Sequence, residues 1–172
     1  MKRILLSLMA GCAMIMALAS CNKDKFSIER PYTEFGKDLA DVEAFMTNSS
    51  YAAAADTLMF WEYLGWCKAY TVAEDLSLYY VFDAEDGKNL KVAFYEYKGN
   101  TVPVSEVETI IQDQGFVYEG HAVYPQEGQW PFNYYLSGDG KVVTQVFDSG
   151  KGEWVAMYSS YKPEDFKAEF FK

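Results

Sequence analysis

The chain offers one histidine and three cysteines for nucleophilic or soft-metal chemistry. His121 stands in a stretch punctuated by Gly120 and Pro125. A nucleophile–histidine pair would need Cys67 or a serine beside it, so a surface or hydrogen-bonded histidine is the simpler expectation. Cys67 follows Trp66 in an apolar run, which suits a small buried residue better than a reactive thiolate. No cysteine and histidine cluster has zinc spacing. Asp83-Ala84-Glu85-Asp86-Gly87 brings carboxylates together as a calcium loop would. Its glycine comes one position early and no glutamate closes it, so it reads as a solvated hairpin turn. Ser137-Gly138-Asp139-Gly140 falls between strand-like runs rather than before a helix, and so is not a phosphate loop. Paired carboxylates can hydrolyse glycosides, but with 25 Asp and Glu in the chain a neighbouring pair carries no information. The expectation is a protein without catalytic residues, metal or cofactor.

Cys21 is the one residue with a defined chemical fate. Lys2 and Arg3 form a positive start, and the uncharged, mostly apolar run Ile4–Ser20 is shorter than the ~20 residues of a spanning helix. Its end, Leu18-Ala19-Ser20-Cys21, resembles the lipobox of bacterial lipoproteins, in which small residues admit a protease and the thiol takes up diacylglycerol. Cys12 also follows small residues, but the apolar run continues beyond it. The resemblance implies a signal peptide over 1–20, an acylated Cys21 with palmitate-type chains, and residence in the cell envelope. An outer-membrane anchor is implied, facing either the periplasm or the outside. Acyl chains contribute about 0.8 kcal/mol per buried methylene, so the lipid alone would hold the protein to the membrane.

The chain has 172 residues, 50% of them hydrophobic, with a net charge of −10 and a pI near 4.5. That acidity argues against phosphate-mediated nucleic-acid binding and, for a protein partner, favours a basic one. Self-comparison pairs Val42/Val107, Glu43/Glu108, Tyr70/Tyr135, Val81/Val146, Phe82/Phe147 and Asp83/Asp148. It continues with Val92-Ala93-Phe94-Tyr95 against Val155-Ala156-Met157-Tyr158, and Tyr97-Lys98 against Tyr161-Lys162. These matches predict a two-fold duplication. The parts are a lipidated N-terminus and tether over 21–33, repeat 1 over 34–100, repeat 2 over 101–162, and a closing helix over 163–172.

Each repeat is expected to open with a helix. Phe35, Leu39, Val42 and Phe45-Met46 share a face in the first, and Val107, Ile110 and Ile111 in the second. Ser105 and Glu108 have the spacing of a capping box, and Gly115 marks a stop. Strands are expected over Leu76–Asp83, Lys91–Lys98, Phe132–Ser137, Lys141–Phe147 and Trp154–Tyr161, joined by short polar turns. Thr144, Gln145, Glu96 and Ser159 interrupt the apolar runs, which suggests one covered face. Tyr51–Leu64 reads equally as a short helix, from Ala52–Ala55, or as a strand, from Met59-Phe60-Trp61. The fold class is therefore α+β: two helix-plus-antiparallel-strand repeats in one layered domain, with helices packed on one face of the sheet.

That element order resembles the β-lactamase-inhibitor-protein fold and its PepSY-like relatives over about Phe35–Tyr161, without a diagnostic motif. The resemblance implies a concave, aromatic-rich sheet that binds another protein. With 4 Trp, 14 Tyr and 12 Phe, some rings should reach the surface. Tyr95, Tyr97, Tyr158, Tyr161, Tyr70 and Tyr135 are the duplicated candidates, since tyrosine combines stiff contact area with a polar tip. The expected function is a non-catalytic, membrane-anchored binding module for a protein. A surface glycan-binding lipoprotein is the alternative, and an envelope hydrolase a more distant one. Asp56-Thr57-Leu58 also resembles an O-glycosylation acceptor.

Overall fold

The computed structural model describes residues 26–55, 57–122 and 130–161. Elements run α1 (Leu39–Met46), β1 (Ala52–Ala53), β2 (Met59–Trp61), β3 (Gly65–Ala73), β4 (Leu76–Phe82), β5 (Leu90–Tyr97), α2 (Val104–Asp113), β6 (Phe116–Ala122), β7 (Phe132–Ser137), β8 (Val142–Asp148) and β9 (Trp154–Ser160). The nine strands of the described residues join one antiparallel sheet in the order β1-β3-β4-β5-β9-β8-β7-β6, with β2 also on β3. The order reads outward from a central β5–β9 seam. There Ala93 lies opposite Tyr158, and Tyr95 opposite Ala156. Each large ring thus faces a small residue across the seam, which lets both fill the same layer.

The expected α+β layering is not what the chain builds. Strand accounts for 44% and helix for 14%, with only two helices among the described residues, so the fold is sheet-dominated. Size explains the difference. Helices of 8 and 10 residues are about 12 and 15 Å long, whereas eight strands at about 4.8 Å spacing extend past 30 Å. Two such helices cannot roof the sheet. None of the described helices is long and apolar enough to cross a membrane.

Much of the remaining cover comes from an extended segment. Residues 26–35, of which 26–33 fall in the tether read from sequence, lie across the core. Ile28 is buried, Phe26 sits edge-on to Trp154 at 6.1 Å, and the Arg30 guanidinium lies 4.9 Å from the Phe116 ring centre. Polar tips tie this strap down. Tyr95 Oη donates to Glu29 O at 2.8 Å, Tyr32 N donates to Tyr80 Oη at 3.0 Å, and Gln114 Nε2 donates to Ile28 O at 3.0 Å.

Local chemistry sets the helix ends. Asp38 caps α1, its carboxylate accepting from Asp41 N at 3.1 Å. The capping box expected at Ser105 and Glu108 does not form. Pro103 is the N-cap, which places Ser105 within the helix, and Glu108 instead accepts a bond from Asn133 Nδ2. Gly115, at φ +88°, ends α2 in the left-handed region that only glycine enters freely. The described residues of 51–64 contain no helix. Ala52–Ala53 and Met59–Trp61 both pair with β3. The closing helix over 163–172 and Asp56 lie outside the described residues, whereas Thr57 is exposed.

The core-facing rows follow from register. Tyr70, Leu78, Tyr95, Ala156 and Val146 form one row across the sheet, and Tyr80, Ala93, Tyr158, Thr144 and Tyr135 the next. Most of these belong to a single core with Val42, Met46, Val107 and Ile111 of the helices. Val81 and Val146, paired by self-comparison, lie on opposite faces: Val146 is in the core, while Val81 faces away with Cys67 and Val92. One polar atom is stranded here. Thr144 Oγ1 is buried with no hydrogen-bond partner. Thr144→Val should therefore stabilise the fold by about 1 kcal/mol, since it removes an unpaid desolvation cost at nearly constant shape. Urea unfolding curves of the two chains measure it, and an equal or lower midpoint for the valine chain would contradict it.

Candidate functional site

The six candidate tyrosines do not form a surface. Tyr70, Tyr95, Tyr97, Tyr135 and Tyr158 are buried on the core side, and only Tyr161 is half-buried. Their hydroxyls work internally. Tyr97 Oη shares a 2.8 Å bond with Thr101 Oγ1 and accepts from Thr101 N at 3.0 Å, while its ring stacks on Trp154 at 5.1 Å. Tyr158 Oη donates to Gln114 Oε1 at 3.4 Å. Burial raises the ionisation of Tyr80, Tyr95, Tyr135 and Tyr158 well above the usual phenol, and that of Tyr70 to about 12.

The hydrolytic candidates are equally separated. His121 is exposed on β6, and its Nδ1 donates to Asn133 Oδ1 at 2.9 Å. Cys67 is on β3, with β4, β5, β9, β8 and β7 between it and β6, so the two cannot pair. The thiol is fully buried and pushed up to about 11 by desolvation, which disfavours the nucleophilic thiolate. Asp83, Asp86 and Asp139 spend their carboxylates on turns. Asp83 Oδ1 accepts from Glu85 N and Asp86 Oδ1 from Lys88 N, both at 3.0 Å, and Asp139 Oδ1 takes the Ser137 hydroxyl at 2.7 Å. These bonds hold all three carboxyls below the ordinary range. Among the described residues no group of His, Cys, Asp and Glu could hold a metal ion. Cys21 lies outside them.

The second sheet face supplies what the tyrosines do not. Ala69, Tyr79, Phe94, Met157, Gln145 and Tyr134 run across it in register. Tyr79 stacks on Phe94 at 4.8 Å, and Trp61 tilts against Tyr79 at 5.3 Å. Beside this ladder lies a groove of about 340 Å³, lined by Tyr63, Leu64, Val81, Val92, Phe94 and Met157. Its rim carries Asp83 and Lys91, joined to each other at 3.1 Å. Comparison with protein-family models, curated proteins and solved structures finds no match to this chain.

The turn between β2 and β3 positions the outer wall. Tyr63 is 93% exposed and Leu64 is 43% exposed. Gly65 follows at φ +95°, where an added Cβ would come within 3.1 Å of Phe82 O. The turn is therefore pressed against the end of β4, and its two apolar side chains are held over the groove. Glycine after a Trp-Glu-Tyr-Leu run was the available sequence signal for this turn.

Proposed function

We propose that this chain is a lipid-anchored cell-envelope protein without catalysis that captures an apolar segment of a protein partner in the Tyr63–Leu64–Phe94 groove. The supporting observation is the exposure of Tyr63 and Leu64 beside an open apolar groove. One exposed ring alone says little, but Tyr63 and Leu64 continue the apolar lining of the groove as one surface, the kind a partner covers. The lining favours protein over glycan. A sugar needs several convergent hydrogen-bonding groups, whereas the charged groups at this rim already pair with each other. The acidic chain favours a basic partner around the contact.

The anchor and groove are also suitably disposed. If Cys21 is acylated, the reach from it to Phe26 is at most about 17 Å. Phe26 packs on Trp154, which lies opposite Tyr97 at the end of β5, whereas the groove touches Val92 near its start. The groove therefore opens about 15 Å further along the sheet from the anchored end. A duplication with its seam at β5–β9 is part of the same reading. It is supported by the reciprocal Ala93–Tyr158 and Tyr95–Ala156 pairs, and the likeness to β-lactamase-inhibitor-protein and PepSY-like folds rests on element order.

The test compares the intact chain with Tyr63→Ala/Leu64→Asp in quantitative capture from envelope extract and on a glycan array. Both positions are exposed, so the fold should be unaffected, as circular dichroism would verify. The expected result is a protein retained by the native groove and reduced at least about tenfold by the substitutions, a loss usual for central contact residues. Equal capture by both chains, or binding to glycans alone, would overturn the reading.

A further inference from the structure

Counting outward from the seam, β5, β4 and β3 match β9, β8 and β7. Register then pairs off positions one by one. Ala93, opposite Tyr158, leads outward to Tyr80 and then Lys68. Ala156, opposite Tyr95, leads outward to Val146 and then Asn133. Asn133 therefore holds the place of Lys68, and Val146 that of Tyr80. The helices match as well, because Glu43 and Glu108 each follow a fully buried valine, Val42 or Val107.

Both glutamates reach the matched strand position, but they meet different groups. Glu43 Oε1 takes the Lys68 ammonium at 3.0 Å, and that lysine side chain is 4% exposed. Glu108 Oε1 takes a neutral donor at that place, the Asn133 amide, whose oxygen accepts from His121 Nδ1 at 2.9 Å. Volume is missing at the same spot. Tyr80 is fully buried, with its hydroxyl on Tyr32 N and Met46 Sδ, whereas Val146 has no ring to place there. A pocket of about 170 Å³ opens here, lined by Val104, Glu108, His121, Asn133, Val146 and Asp148.

We propose that this pocket binds the ammonium head of an alkylamine, with its methylenes against Val104 and Val146 and its charge on Glu108. The ligand supplies from outside what Lys68 supplies from within. A partly buried carboxylate gains more from a full positive charge than from an amide dipole. Asp148 adds a second carboxylate, one oxygen of which accepts from Gly150 N at 2.7 Å, so an anion is disfavoured. Among the described residues no group of His, Cys, Asp and Glu could hold a metal ion, which leaves an organic cation. The pocket lies on the helix side of the sheet and the groove on the other, so amine binding is independent of what the groove captures.

Titration of the isotope-labelled full chain with n-butylammonium tests the pocket, read from the Asn133 amide and His121 ring resonances. A saturable shift is expected, with none from n-butanol, which has the same tail without the charge. Glu108→Gln keeps the shape and should weaken binding at least about tenfold, the loss usual for a hydrogen bond to a charged group. Asn133→Lys installs the cation of the matched site and should abolish binding, with the β-sheet dichroism retained. If the lysine chain loses that signal, Glu108→Gln and n-butanol decide the matter. A capped lysine tripeptide distinguishes the sources: tighter binding than n-butylammonium supports a protein lysine, and weaker binding a free amine. No saturable shift from either probe, equal shifts from n-butanol, or native affinity in Glu108→Gln overturns the proposal, as does unchanged binding by a folded Asn133→Lys chain.

Discussion

Tyr95→Ala should cost about 3–5 kcal/mol of folding stability, the range for removing a large buried ring. The ring has no exposure, meets Tyr51 edge-on at 6.5 Å, and lies opposite Ala156 at the sheet's central seam. Its hydroxyl also holds the strap through Glu29 O. The alanine chain therefore loses packing from two layers together, since the carbonyl that anchored residues 26–35 loses its donor. Tyr95→Phe separates these contributions: it keeps the ring and removes the one bond, at about 1 kcal/mol. Denaturant midpoints of the three chains measure both. A Tyr95→Ala chain as stable as the native one would show that the seam is not packed as described.

The second large effect is on the alkaline side. Tyr70, Tyr80, Tyr95, Tyr135 and Tyr158 are buried with raised ionisation, the main cause in each being desolvation, with Glu43 and Glu108 adding to Tyr70 and Tyr135 respectively. In the unfolded chain a tyrosine ionises near pH 10. Above that pH the unfolded chain releases protons that the folded chain still holds, so unfolding becomes progressively more favourable. The stabilising contribution is complete below about pH 10 and is lost as pH rises toward the folded values, about 12 for Tyr70. Cys67 acts in the same direction and starts lower, from its ordinary 9.0 toward about 11. Cooperative unfolding is expected between about pH 10 and 12, seen as a tyrosinate absorbance step coincident with loss of β-sheet dichroism. Gradual ionisation of all phenols with the sheet intact would contradict the burial described.

The sequence makes the sheet legible where turns punctuate it. β7 runs over Phe132–Ser137 as read, and β5, β8 and β9 differ by a residue or so at their ends, because Ser137-Gly138-Asp139-Gly140 and Asp148-Ser149-Gly150 leave little freedom between them. β3 is harder to see. Its Gly65–Ala73 run mixes Cys67, Lys68 and Thr71 without alternation, and the buried Lys68 places its ammonium on Glu43 of α1 at 3.0 Å. No local pattern announces that partner.

The tyrosines singled out by self-comparison lie one step of strand parity from the second sheet face. Val92-Ala93-Phe94-Tyr95 is apolar throughout, so it does not say which alternate set faces the core. Tyr95 went in, and Phe94 went to the open groove. The same ambiguity applies at β8, where Thr144 and Gln145 interrupt the apolar run and yet both are buried. Helices were expected to cover the sheet because their periodicity is visible. The strap is subtler: Phe26, Ile28 and Tyr32 lie two or four positions apart, a strand-like spacing with no strand to complete it.

The central claim is that partner binding belongs to the groove and not to the buried tyrosines. The most direct measurement is the dissociation constant of the captured partner for the native chain, Leu64→Asp and Tyr95→Phe. The account predicts at least about tenfold weaker binding for Leu64→Asp, as for a central contact, and an unchanged constant for Tyr95→Phe. Weakened binding by Tyr95→Phe with Leu64→Asp at the native value would contradict it.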